Sequence, residues 1–344
     1  MRQISEIFEV LGHSTNIVIT MHQKPDADAM GSSLGLKLVL DKLGNKVTVI
    51  SPTNWPGFLN WMPNCSQVID FESKREFCSN LIAEADLIFC LDFNSLSRIK
   101  GMEEPVRQAK AKRILIDHHQ EPELASFECG VSDNSKGSTA EMVYDFIVES
   151  GNQSLIDRDV ASCLYAGVMT DTGSFRFPST TASAHNMVAN LMSTGFSHFL
   201  VHEKLFDTFL ENRLRFFGHV LLNRMDVDYE MNTVLIAIPK ADLLKFDIKT
   251  GDTEGLVNYP LSMLGIKMAA IVIDRDEERK WSFRSKGEID MNKFARTFFN
   301  GGGHKNAAGG RSTLSLEESV AYFKKVLPDL AGELSSGYSS NDLN

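Results

Sequence analysis

The sequence predicts an α/β protein, in which an N-terminal doubly wound parallel sheet is followed by a helical linker and a smaller α/β domain. Three observations predict it. Apolar, β-branched runs alternate with helix-spaced segments through the first half of the chain. Three of those runs deliver His or Asp at their ends. Beyond residue 222 a second, shorter alternation leads into a glycine-rich stretch. Strands separated by helices favour parallel βαβ units, because a parallel partner can be reached only through a crossover. In such sheets ligands bind beyond the carboxyl ends of the strands.

The elements follow in order. Ile4, Ile7, Phe8 and Leu11 are spaced as on an amphipathic helix, in a short segment of mixed charge that is not a signal peptide. Residues 16–22 (NIVITMH) form the first strand, and Leu34, Leu38 and Leu43 mark a helix over 31–43. Strands follow at 46–51, 87–92 and 113–117, the last two running straight into acidic residues. Ser138 with Glu141 three positions later has the pattern of a capping box at a helix start. Helices are expected at 157–169 and 182–193. The phenylalanine-rich stretch 196–222 is helical in pattern and reads as the connector, or equally as an ordinary core helix. Strands at 233–239, 268–274 and 279–285 then lead to a helix at 290–299, the loop GGGHKNAAGG and a last helix at 316–330. The domains are therefore 1–195, a linker at 196–222, 223–335, and a polar tail at 336–344 that is expected to be disordered.

Composition narrows the function classes. The 344 residues suit two domains, and 43% hydrophobic with 23% charged residues is ordinary for a chain with a real core. No apolar run approaches the roughly 18 residues of a membrane span. Five scattered cysteines without metal spacing read as reduced thiols of a cytoplasmic protein. The formal charge of −10 argues against binding long duplex DNA. It leaves room for a small phosphorylated substrate, since cations bound to an aspartate cluster would reverse the local sign.

Five clusters carry chemistry. In His22-Gln-Lys-Pro-Asp26-Ala-Asp28, an imidazole and two carboxylates lie between a strand and a helix. An extended turn would converge them into a mixed N/O site suited to Mn²⁺, Mg²⁺ or Zn²⁺. Read by itself, the cluster is equally a polar turn with Asp28 as a helix N-cap. Asp92 ends the apolar run LIFCL, and Asp117-His118-His119 ends the next strand. Adjacent histidines diverge, so one would face a metal and the other a substrate oxygen. Asp171 lies among small residues at the end of a helical run. Last, Gly301-Gly302-Gly303-His304-Lys305-Asn306 follows Arg284-Ser285 by about twenty residues, and its glycines would let backbone N–H groups approach a phosphate. Four of the nine histidines fall inside these clusters. The others (His13, His185, His198, His202 and His219) read as structural or surface residues.

Taken together, the DxD, lone Asp, DHH, C-terminal Asp and GGGH motifs resemble the DHH phosphoesterase family with a C-terminal DHHA1 domain, over about 22–310. The resemblance implies two divalent metal ions, Mn²⁺ foremost, with Mg²⁺ or Co²⁺ as substitutes. It implies that His22, Asp26 and Asp92 hold one ion, that Asp28, Asp92, His118 and Asp171 hold the other, and that Asp92 bridges. His119 would contact the scissile phosphate, and Asp117 would orient the histidine pair. Arg284, Ser285, Gly302, Gly303, His304 and Asn306 match the substrate-gripping surface. Ala27 stands where many relatives carry glycine, and no ligand is lost by it.

The resemblance further implies single-stranded RNA of about two to five nucleotides and 3′-phosphoadenosine-5′-phosphate as substrates. The alternatives are linear or cyclic dinucleotides (pApA, pGpG, c-di-AMP) and, in a different class, a nonenzymatic nucleotide sensor. Every expected ligand type is present, which speaks against a decayed sensor. No membrane partner is expected, and a homodimer is left open.

Overall fold

A computed structural model describes residues 1–11, 15–249, 251–275 and 278–334; His13 and the tail 336–344 lie outside these. The chain divides into two compact units, Met1–Thr208 and Phe209–Asn344. The first carries a seven-stranded sheet built from β1 (Arg2–Gln3), β2 (Asn16–Met21), β3 (Lys46–Ser51), β4 (Ile69–Asp70), β5 (Leu87–Leu91), β6 (Lys112–Asp117) and β7 (Cys129–Ser132). Its order is β1-β7-β6-β5-β2-β3-β4, and every neighbouring pair is parallel. From β2 the chain runs outward to β3 and β4, then returns to β5 on β2's other side. The direction of winding therefore reverses between β2 and β5, which is where such sheets open a crevice.

One face of the sheet is covered by α1 (Ala27–Lys42), α4 (Thr139–Glu149) and α5 (Arg158–Asp171), packed with Ile17, Ile19, Phe89 and Ile116. On the other face α2 (Arg75–Ala83) and α3 (Glu103–Gln108) cover Val18, Ile88 and Leu115. Helix α1 starts four residues earlier than the 31–43 expected, because Asp26 is its N-cap, accepting from the N–H groups of Asp28 and Ala29. The alternative reading with Asp28 as the cap is thereby corrected. Contact between α1 and α5 requires glycine at two places. A Cβ at Gly31 would meet the Cys163 carbonyl oxygen at 2.3 Å, and one at Gly167 would meet Asp28 Oδ1 at 2.6 Å.

The opening segment forms a 3₁₀ turn, Ile4–Val10, instead of an α-helix. Buried Ile4 and Ile7 are three apart, the spacing a 3₁₀ turn eclipses onto one side. The stretch 196–222 is two helices. Helix α7 (His198–Phe206) buries Val201 and Leu205 in the first unit, and α8 (Glu211–Asn223) buries Phe216, Phe217 and Val220 in the second. Helix α6, which precedes them, spans Ala182–Met192.

The second unit has a six-stranded sheet of order β12-β13-β11-β10-β9-β8, antiparallel except between β9 and β10. Its strands are β8 (Met225–Asp228), β9 (Thr233–Ile238), β10 (Met268–Arg275), β11 (Glu278–Ser285), β12 (Gly302–His304) and β13 (Ala307–Ser312). Helices α9 (Lys240–Lys245), α10 (Met291–Phe298) and α11 (Leu316–Val326) complete it. Trp281, Phe283 and Phe323 stack in its core with Phe299 tilted against them, ring centroids 4.8–6.4 Å apart. No helix among the described residues is long and apolar enough to cross a membrane.

Candidate metal centre

The strand order sets β6, β5 and β2 side by side, so the residues after their last hydrogen-bonded positions meet. His22 follows β2, Asp92 follows β5, Asp117 ends β6, and His118 and His119 come next. The N-terminus of α1 brings Asp26 and Asp28, and the last residue of α5 is Asp171. Asp92 has a left-handed backbone with φ of 63°, a conformation Asp tolerates better than most residues. Its N–H donates to the Ile116 carbonyl at 3.1 Å, so the turn stays tied to the sheet.

Asp92 stands between two imidazoles. Its Oδ2 lies 3.4 Å from His22 Nε2, and its Oδ1 lies 3.5 Å from His118 Nε2. His22 Nε2 is also 3.7 Å from Asp26 Oδ2. His118 Nε2 is 3.2 Å from Asp171 Oδ2 and 3.8 Å from Asp28 Oδ2. The ring nitrogens on the far side settle the tautomers. His22 Nδ1 lies 2.8 Å from the Gln23 carbonyl and His118 Nδ1 3.3 Å from the Lys136 carbonyl. A carbonyl can only accept, so each Nδ1 carries a proton and each Nε2 points at the carboxylates, where it holds a second proton that a cation would displace to use the lone pair.

His119 differs. Its Nδ1 is 2.7 Å from Asp117 Oδ1, and its ring is tilted 73° from that of His118. The divergence expected of adjacent histidines is present. Buried Asp117 orients His119, while His118 is held by a carbonyl.

The cluster is electrostatically strained by itself. Burial, then the Asp92 and Asp171 carboxylates, push Asp28 well above the usual carboxylate range. Burial pushes Asp171 up to about 6 in spite of His118, and burial followed by Asp92 raises Asp117 to about 6. For His22 burial pulls downward, yet Asp26 and Asp92 outweigh it and push the ring up to about 10. His119 is held well below its ordinary value by burial and then by the Arg98 guanidinium. Protons on His22 and His118 thus stand where a cation would.

The donors fit such a cation. Ligands on bonds of ~2.1 Å to a common ion sit ~3.0–3.4 Å from one another in octahedral or tetrahedral arrangement. Two groups, His22 with Asp26 and Asp92, and Asp28 with Asp92 and His118, each gather their donor atoms within 4.8 Å. Carboxylate oxygens with imidazole nitrogens are the donor set of Mn²⁺, Mg²⁺ or Zn²⁺.

In the second unit the expected glycine loop is a hairpin, β12 and β13 closed through Lys305 and Asn306. Cross-strand register places Arg284 opposite Ala307, and Ala307 opposite His304, so Arg284 and His304 flank one strand. Ser285 and Asn306 are engaged within the fold. Asn306 Nδ2 donates to Ser285 Oγ and to the Gly287 carbonyl at 2.9 Å each, and Ser285 Oγ donates to the Ile289 carbonyl at 2.7 Å. The Gly303 N–H donates to buried Asn292 Oδ1 at 2.9 Å, an internal acceptor in place of a ligand. Gly302 pairs with Gly309.

Three residues near these sites escaped the sequence reading. Thr139 donates its hydroxyl to Asp92, Arg98 ties its turn to the His22 loop by accepting from the Gln23 N–H, and Asn292 holds the hairpin. Only the neighbouring Ser138 cap hinted at Thr139, and no local pattern marks the other two.

A doubly wound sheet that gathers five carboxylates and three imidazoles at its switch point defines a class of protein, the α/β phosphoesterases that work with divalent cations. The chain belongs to the DHH family: residues 16–168 match the DHH family, N-terminal domain, and residues 232–333 match the DHHA1 domain. It is 27% identical to the bifunctional oligoribonuclease and PAP phosphatase NrnA of Bacillus subtilis, over 95% of this chain and 97% of the relative. It is 29% identical to the protein of the same name from Thermus thermophilus, over 98% and 96%. The crystal structure of an exopolyphosphatase-related protein from Bacteroides fragilis superposes with a TM-score of 0.91 at 38% identity, covering 96% of this chain and 97% of that one.

Proposed function

We propose that this protein is a two-metal phosphoesterase that hydrolyses RNA of about two to five nucleotides to mononucleotides and 3′-phosphoadenosine-5′-phosphate to AMP. The observation that carries the proposal is Asp92 standing between two imidazole–carboxylate groups, one oxygen toward each. His22, Asp26 and Asp92 hold one cation; Asp28, Asp92, His118 and Asp171 hold the other; Mn²⁺ is the expected ion. When bound, such a pair activates water near neutral pH and neutralises charge on the phosphoryl oxygens. The chain's own groups do the rest. His119, its ring fixed by Asp117, is the residue that contacts the phosphoryl group. Arg284, Gly302 and His304 recognise the remainder of the substrate, while Gly303, Ser285 and Asn306 keep the hairpin in shape. Arg284 is suited to this role by its fork of N–H donors. The relatives named for oligoribonuclease and PAP phosphatase activity support the choice of substrates. Five buried, unpaired thiols support a cytoplasmic setting.

The test is a parallel time course on 3′-phosphoadenosine-5′-phosphate, a dinucleotide and a pentanucleotide, with and without Mn²⁺. All three are consumed only with the cation, and Asp92→Ala loses more than ~100-fold in rate. Near-normal turnover by Asp92→Ala in Mn²⁺ would contradict the two-metal assignment.

A further inference from the structure

We propose that Thr139, the first residue of α4, is a positioning residue that sets the affinity of one of the two cations and leaves the other untouched. The inference rests on the two-cation reading above. Thr139 is fully buried and holds both carboxylates on the His118 side. Its hydroxyl donates to Asp92 Oδ1 at 3.0 Å, and its backbone N–H donates to Asp28 Oδ2 at 2.7 Å. These are the very oxygens that face His118 Nε2, at 3.5 Å and 3.8 Å. The oxygen of Asp92 turned toward His22 is the other one, Oδ2.

The arrangement is built in from several directions. Asp28 Oδ1 accepts from the Ala140 N–H at 2.9 Å, so both its oxygens rest on the first turn of α4. Gly167 on α5 packs directly against Asp28, so close that a Cβ there would meet Asp28 Oδ1 at 2.6 Å. Ser138 caps the helix by accepting from the Glu141 N–H, which leaves the Thr139 hydroxyl for Asp92. A carboxylate oxygen has two lone pairs. With one taken by the hydroxyl, the other is aimed at the cation, and the aim is fixed by a helix instead of a loop.

The roles separate by substitution. Thr139→Val keeps the shape, the burial and the backbone N–H that holds Asp28, and deletes only the hydroxyl. Thr139→Ser keeps the hydroxyl. Groups that orient metal ligands typically contribute 10–100-fold in affinity. In Mn²⁺ titrations followed by the electron paramagnetic resonance of free Mn²⁺, wild type fills two classes of site. Thr139→Val should weaken one class ~10–100-fold and leave the other within a factor of about three, with Thr139→Ser close to wild type. In a His22→Ala background, where the His118 side is the class that remains, Thr139→Val should weaken that class by the same factor. Melting of the metal-free proteins, read alongside, should be nearly equal for wild type and Thr139→Val. Unchanged titrations for Thr139→Val overturn the inference while the two-cation reading stands. So does equal weakening of both classes together with a lowered metal-free melting temperature, which marks a general packing role. Wild type that binds no Mn²⁺ removes the two-cation reading and this inference with it.

Discussion

The two units treat polar groups in opposite ways. In the first, carboxylates and imidazoles are buried at the ends of a parallel sheet and left in mutual tension: Asp28 is 0% and Asp92 2% exposed, and burial with like charge drives Asp28 upward. In the second, the groups that resembled substrate contacts largely satisfy one another, as Asn306 does with Ser285 and Asn292 does with Gly303. A site that must capture a cation crowds like charges together, whereas a frame that must hold a hairpin matches each donor with an acceptor. Substitutions should therefore cost binding in the first unit and stability in the second.

The largest effect tests the first half of that contrast. Asp171→Asn should lower Mn²⁺ affinity and turnover by more than ~100-fold. Its metal-free melting should stay close to wild type, because a carboxyl already pushed up to about 6 is not stabilising the fold by its charge. Calorimetry in chelator reads this directly, and a large drop in melting temperature would erase the contrast. Next comes Gly310→Ala in the second unit. A Cβ there would lie 2.6 Å from Phe299 Cβ and 2.8 Å from its carbonyl oxygen, so overpacking should cost about 1–3 kcal/mol in thermal unfolding. A third test sharpens the comparison: Asn306→Ala removes the donor to the buried Ser285 hydroxyl and should cost about 1 kcal/mol. If stability were unchanged and the Michaelis constant rose instead, Asn306 would be a substrate ligand and the frame would extend less far.

The smallest effect is one of pH. Burial pushes Asp242 up, but the Arg224 fork and then His219 outweigh it and hold the carboxyl below its usual value. A carboxyl with a depressed folded value stabilises above its unfolded value and loses that contribution as pH falls through the folded one. The melting difference between wild type and Asp242→Asn should therefore be steady from neutral pH to about pH 4, near the unfolded value, and shrink below it. The difference should stay under ~1 kcal/mol, since Arg224 is partly exposed.

Much of the centre was legible because its residues stand at chain positions the fold makes special. His22, Asp92 and Asp117–His119 each follow or end an apolar run, and strands of a parallel sheet all present those ends on one side. The parts that were not legible depend on three-dimensional partners. Nothing near Thr139 in sequence says that Asp92, 47 positions away, will accept its hydroxyl. Asp26 and Asp28 were visible as a pair, yet which of them caps α1 depends on where the chain turns, and the structure gives the cap to Asp26. The run GGGHKNAAGG reads as a loop because glycine is permissive everywhere. Here its close approaches, such as a Cβ at Gly301 meeting the Gly309 carbonyl oxygen at 1.9 Å, show the glycines serving strand-to-strand contact. The stretch 196–222 reads as one element because its apolar spacing is nearly continuous; the break at 207–210 comes from each half packing on a different core.

The edge strand β1 has a consequence for how the molecule is made. Arg2 and Gln3 pair with Cys129 and Gly130, so once synthesised they must wait for a partner more than a hundred positions downstream. At ribosomal speeds of roughly 5–20 residues per second, that delay is on the order of ten seconds. The proposed ligands stretch from His22 to Asp171, so a nascent chain cannot load both cations until α5 has left the exit tunnel.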